Sequence, residues 1–112
     1  MARLLVVPLN NLFASIPDAV AGELSTSLVT RSGVRFERIV SQGQASPEGF
    51  WYDQAEREFV LLVQGRAELE FADARVVTLG PGDWLEIGAH VRHRVRSTGP
   101  DGPTIWLVAF YD

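Results

Sequence analysis

The feature that most constrains this chain is the punctuation of its last two-thirds. From Val34 onward, short apolar or alternating runs are cut by Gly, Pro, Asp and Ser turns. The cuts recur at roughly ten-residue intervals, the spacing of an all-β sandwich or barrel. Val34, Phe36 and the pair Ile39–Val40 alternate with Arg35, Glu37 and Arg38. Glu58 to Val63 is an apolar run that ends at Gln64-Gly65. Arg66 to Phe71 alternates cleanly, with Ala67, Leu69 and Phe71 on one face. Val76, Val77 and Leu79 make another run, closed by the turn Gly80-Pro81-Gly82-Asp83. Trp84 to Ile87 follows, then a break at Gly88-Ala89 and a run from Val91 to Arg96. After the loop Thr98 to Pro103, the last strand, Thr104 to Tyr111, is apolar on both faces.

The first third reads differently. Ala2 to Pro8 is β-prone. Leu9 to Ile16 offers Asn10 and Asn11 as caps ahead of Leu12, Phe13 and Ile16, which predicts a short helix or turn. Ala19 to Leu28 carries Val20, Leu24 and Leu28 on one helical face, although Gly22 and the Ser-Thr-Ser run weaken a helix. The expectation is one domain: residues 1–33 as an N-terminal arm with strand and short helix, and residues 34–112 as the barrel.

Composition sets the limits on chemistry. A chain of 112 residues holds one core and no more. Its net charge of −4 argues against a nucleic-acid partner, and no apolar run reaches the ~20 residues that span a bilayer. Met1 to Pro8 lacks the long apolar region of a signal peptide. There is no Cys, which removes thiolate chemistry and fits a cytoplasmic location. All ten basic residues are Arg, so no Lys can form a Schiff base. With only two His, a three-His metal site cannot be built from one chain.

One of those histidines is placed by its neighbours. Arg92, Arg94 and Arg96 alternate with His93 and Val95. Three Arg are hard to bury, so their face is wet and His93 points inside. His90 lies three residues earlier, which on a regular strand puts it on the opposite face; the Gly88-Ala89 break leaves room for both to converge.

The stretch Gly49 to Ser97 resembles the two motifs of the cupin superfamily, and the chain is similar to small single-domain cupins of the RmlC-like kind. Glu58 sits seven residues before Gly65, as in the first motif; Gly82, Gly88, His90, His93 and Ser97 keep the spacing of the second, with His93 matching in type as well. The resemblance implies an all-β double-stranded β-helix, or jelly-roll barrel, with any site in its lumen and a homodimer as the assembly. In the family, two first-motif His join the Glu and the second-motif His around a divalent metal. Here both are missing, and their places hold Trp51 and Asp53, or Tyr52 and Gln54.

Two functional readings follow. In the first, Glu58, His93, His90 and one of Asp53 or Gln54 bind Mn, Fe(II) or Zn, possible cofactors of an enzyme whose substrate the sequence does not name. In the second, the barrel is metal-free, binds a small molecule, and keeps Glu58 and His93 as a buried pair. Tyr52 and Trp84 are candidate walls of the ligand pocket, although aromatics in a chain like this more often build core or interface. The Glu58 assignment rests on the motif; the competing position is an exposed strand mouth beside Glu56 and Arg57.

Overall fold

The computed structural model describes residues 7–17 and 22–112. Eight strands run through them: β1 (Leu24–Arg31), β2 (Val34–Ser41), β3 (Arg57–Gln64), β4 (Ala67–Phe71), β5 (Val76–Leu79), β6 (Trp84–Ile87), β7 (His93–Thr98) and β8 (Thr104–Tyr111). They form two antiparallel sheets, a five-stranded one ordered β1-β2-β8-β3-β6 and a three-stranded one ordered β5-β4-β7. The inner faces enclose one core: Val60 and Leu62, Ala67, Leu69 and Phe71, Leu79, Ile87, and Trp106, Val108 and Phe110. This is the all-β, two-sheet architecture that the turn spacing and alternation predict.

The turns that close the strands are set by backbone geometry. In Gly80-Pro81-Gly82-Asp83, Pro81 presets the first corner and Gly82 takes φ 91° at the second. Asp83 N donates to Gly80 O at 3.0 Å, and Gly80 N donates back to Asp83 Oδ2 at 2.8 Å. Gly65, at φ 92° between β3 and β4, has no room for a side chain, because a Cβ there would lie 2.5 Å from Thr104 Oγ1 and 2.8 Å from its Cα.

The helical part of the N-terminal expectations is corrected; of the short helix or turn expected over Leu9 to Ile16, the turn forms. No helix occurs among the described residues. Leu12 to Ser15 is one isolated turn: Asn11 Oδ1 accepts from Phe13 N at 2.8 Å and Ser15 takes φ 58°, which stops propagation after a single turn. Leu24 and Leu28 belong to a strand, not a helix. Thr26, Val29 and Thr30 favour extended backbone, and the tight Ser32-Gly33 link zips β1 onto β2 from Arg31↔Val34 to Leu24↔Val40. The expected strand over Ala2–Pro8 and the start of the expected helix over Ala19–Leu28 lie largely outside the described residues.

β8 explains its own two apolar faces. Trp106, Val108 and Phe110 point into the core, whereas Ile105 and Ala109 lie on the outer face and are buried too. On that same outer face the Arg38 guanidinium donates to Leu12 O (3.1 Å) and Ala14 O (2.6 Å). The N-terminal turn is thus pinned across the outside of the large sheet.

Candidate functional site

Glu58 stands on β3 in phase with Val60 and Leu62, so its side chain enters the lumen with theirs. Across its own sheet it pairs with Phe110 on one side and Ile87 on the other. His93 opens β7 in the opposite sheet, paired with Phe71. The two residues are only 8% and 4% exposed, and His93 Nε2 lies 3.4 Å from Glu58 Oε1. Of the alternating arginines, Arg92 and Arg96 are exposed and Arg94 is half-buried against Glu70 (3.1 Å), as the wet-face argument requires.

The His93 ring is fixed from two further directions. Nδ1 stands 2.8 Å from Val91 O. A carbonyl only accepts, so Nδ1 carries a proton. Tyr52 stacks on the ring at 5.4 Å, and the two residues exchange backbone bonds, Tyr52 N to His93 O (2.7 Å) and His93 N to Tyr52 O (3.2 Å). With Nδ1 protonated, any hydrogen bond between Nε2 and Glu58 needs one more proton, held by the imidazole or by the carboxyl. Nε2 is therefore the ring nitrogen that faces Glu58. Burial pushes the imidazole down, but the facing Glu58 carboxylate, the Val91 carbonyl and the Glu58 charge outweigh it and raise His93 above its ordinary value.

A further carboxylate belongs to this neighbourhood. Glu23, just before β1, keeps exposed surface, yet desolvation and then the charge of Glu58 raise its pKa. The Tyr52 phenol is raised by burial, then by Glu23 and Glu58. Glu23 escaped the sequence reading because it fell inside an apparent helix; only the pairing of β1 with β2 brings it to this end of the barrel. Arg35, in the same register row as Phe110 and Glu58, lies 4.2 Å over the Phe110 ring. Its guanidinium is taken by Glu56 (2.6 and 2.7 Å) and Glu37 (3.1 Å).

The other candidate residues sit elsewhere. Asp53 and His90 are exposed and face each other, with His90 Nδ1 2.8 Å from Asp53 Oδ1. Gln54 contributes its backbone, accepting from His90 N at 2.6 Å. Among the described residues no three His, Asp or Glu side chains gather as a metal would require. Only two of the proposed donors meet in the lumen, and they engage each other. That donor set does not fit an ion needing three or four protein ligands. Trp84 lies outside the lumen on the outer face of β6, 63% exposed and 5.4 Å from the Phe59 ring. It forms the lip of an open groove of about 670 Å³ between the edge strands β5 and β6, floored by Phe71, Leu79 and Ile87.

A family model for the cupin domain matches residues 37–110, most of the chain. The chain belongs to the cupin family. Solved structures agree. A Ralstonia eutropha JMP134 protein, provisionally assigned as a mannose-6-phosphate isomerase, shares 44% identity over 95% of this cupin and 99% of its own chain, with a TM-score of 0.90. A cupin superfamily protein from Desulfitobacterium hafniense DCB-2 matches at 24% identity, 98% of each chain and TM-score 0.74. An RmlC-like cupin from Desulfovibrio desulfuricans, at 14% identity over 95% of this chain and 97% of its own, has TM-score 0.75 and shares the fold. No curated protein matches this cupin. Among the described residues no helix long and apolar enough to cross a membrane occurs.

Proposed function

We propose that this cupin is a metal-free binding barrel that holds a small polar molecule against the Glu58–His93 pair. One observation carries the reading. An acid and an imidazole, both over nine-tenths buried, converge at 3.4 Å under the Tyr52 ring, a separation longer than a normal hydrogen bond. Burying such a pair is costly unless its remaining hydrogen-bonding capacity is met, and a ligand with donors and acceptors would meet it. The test is ligand-observed NMR with a panel of polyols, hexoses and amines, on the parent, Glu58→Gln and His93→Ala proteins. Binders that vanish in both variants support the proposal. Binding untouched by either substitution, or no binder at all, sinks it. Metal quantified in protein purified without chelator should be well below one ion per chain.

A second reading is favoured by the 44%-identical Ralstonia eutropha protein and its provisional isomerase assignment. Aldose–ketose isomerisation needs one group that takes a proton from carbon and returns it to the neighbouring carbon, and a carboxyl beside an imidazole has the chemistry for that. A phosphorylated sugar would find Arg35 occupied by Glu37 and Glu56. Incubation with mannose 6-phosphate in D2O checks this reading: carbon-bound deuterium that disappears in Glu58→Gln would favour the enzyme. The proposed assembly is a homodimer through the β1–β2 edge, where Leu24, Leu28, Val29 and Phe36 are all more than a third exposed. Light scattering of the parent against Leu28→Glu measures it.

A further inference from the structure

The segment Phe50 to Gln54 lies as a strap beside the start of β7. Among the described residues its one bridge to a sheet is that between Tyr52 and His93. Three further ties fasten residues 51–54 to the short stretch His90–His93. The Arg92 guanidinium lies 5.7 Å over the Trp51 ring, the Asp53 carboxylate meets the His90 ring at 2.8 Å, and Gln54 O accepts from His90 N at 2.6 Å.

The backbone at His90 is unusual. Val91 N donates to Gly88 O at 3.2 Å, which closes a four-residue turn, and His90 occupies its third position with φ 61°. That position favours Gly or Asn, and another residue there costs about 1–2 kcal/mol. An exposed ion pair returns only about 0–1 kcal/mol. As a stability device, then, histidine here loses to glycine. Its ring must serve something other than stability.

What it serves is visible in the contacts of His93. The ring is oriented by Val91 O at Nδ1 and by Tyr52 on its face. Val91 is the last residue of the His90 turn, and Tyr52 is the middle of the strap that Asp53 and Gln54 tie to His90. Both constraints on His93 pass through this one junction.

We infer that Asp53 and His90 are positioning residues: their contact latches the strap to the turn, and so holds Tyr52 and the Val91 carbonyl on the His93 ring that faces Glu58. The consequence for ligand binding rests on the proposed function above. The latch itself does not, because it is read without ligand.

The experiment uses NMR on the full chain, comparing the parent with Asp53→Ala, His90→Gly and the double variant. Glycine at position 90 suits the turn and removes the ring, so folding is preserved. Two signals are followed: amide exchange at Tyr52 and His93, and the ring-current displacement of the His93 Cε1 proton by Tyr52. Each single variant should speed both amides by roughly threefold to fivefold, the worth of an exposed pair, and reduce the displacement, while core amides of β4 and β8 stay put or slow. The double variant should match the singles, because either change alone opens the latch. Unchanged Tyr52 and His93 signals in His90→Gly, or effects that simply add, would overturn the inference. Glu58→Gln, which abolishes binding under the proposed function, should leave both strap amides as in the parent, so the two ideas fail separately.

Discussion

Glu58 of β3 and His93 of β7 belong to different sheets and meet across the lumen at 3.4 Å. Because His93 Nδ1 is committed to Val91 O, Nε2 is the ring nitrogen left to face the carboxyl. The pair's energetics and its pH response both follow from that constraint.

Removing one partner should cost more than removing both. His93→Ala leaves a buried carboxylate without its counter-group, a loss of about 3 kcal/mol or more. Glu58→Met combined with His93→Leu replaces the pair by apolar side chains and should restore stability to near the parent level. Urea unfolding of the three proteins decides; a double variant less stable than His93→Ala would contradict the account. Small-molecule binding should be absent in both variants, stable or not.

Stability should fall as the solution becomes alkaline. His93 is raised above its ordinary value in the folded chain. A raised basic group contributes fully below its unfolded value, about 6.5, and the contribution is lost as pH climbs through the folded value. Glu23 acts in the same direction, since an acid raised by desolvation and by Glu58 is best tolerated protonated. Unfolding midpoints across a pH series should therefore drop above about pH 6.5 in the parent and drop less in Glu58→Gln. Glu23→Gln, which removes the like-charge opposition to Glu58, should raise the midpoint at neutral pH.

Gly65→Ala should be among the most damaging single changes in the chain. Its new methyl would meet Thr104 backbone at 2.8 Å, in a φ of 92° that L-residues avoid. Neither neighbour is a flexible side-chain end, so the β3–β4 corner has to move, at a cost of about 3 kcal/mol. Thermal unfolding or the soluble yield measures it.

Ala74→Gly should do the reverse. The β4–β5 hairpin closes with Phe71 N on Arg75 O and Ala74 N on Phe71 O, both at 2.9 Å, and places Ala74 at φ 75°. Glycine relieves that strain and gives back part of it as unfolded-chain entropy, a net gain of about 0.5–1 kcal/mol. Calorimetry should show a higher midpoint.

The strands of the barrel were legible because each announces itself locally. Ala67, Leu69 and Phe71 must share a face whatever they pack against, and Gly80 to Asp83 is a turn in any context. The inward side of His93 followed for the same reason, since its arginine neighbours cannot be buried together. β1 was misread because Val20, Leu24 and Leu28 happen to keep a helical interval, while the β2 edge that outcompetes a helix is supplied from elsewhere in the chain. β8 could not be assigned an inside and an outside from its own residues, because both of its faces are covered.

The sequence by itself determined the strands, the turns and the direction of one imidazole, all of which depend on residues within a few positions of each other. The meeting of Glu58 with His93 was expected from the motif resemblance. The tertiary structure alone decided their 3.4 Å approach, brought Glu23 to the same end of the barrel, and turned Asp53 and His90 outward to each other. Such contacts depend on how two sheets are stacked and where the strap lies against β7, and no spacing along the chain encodes them.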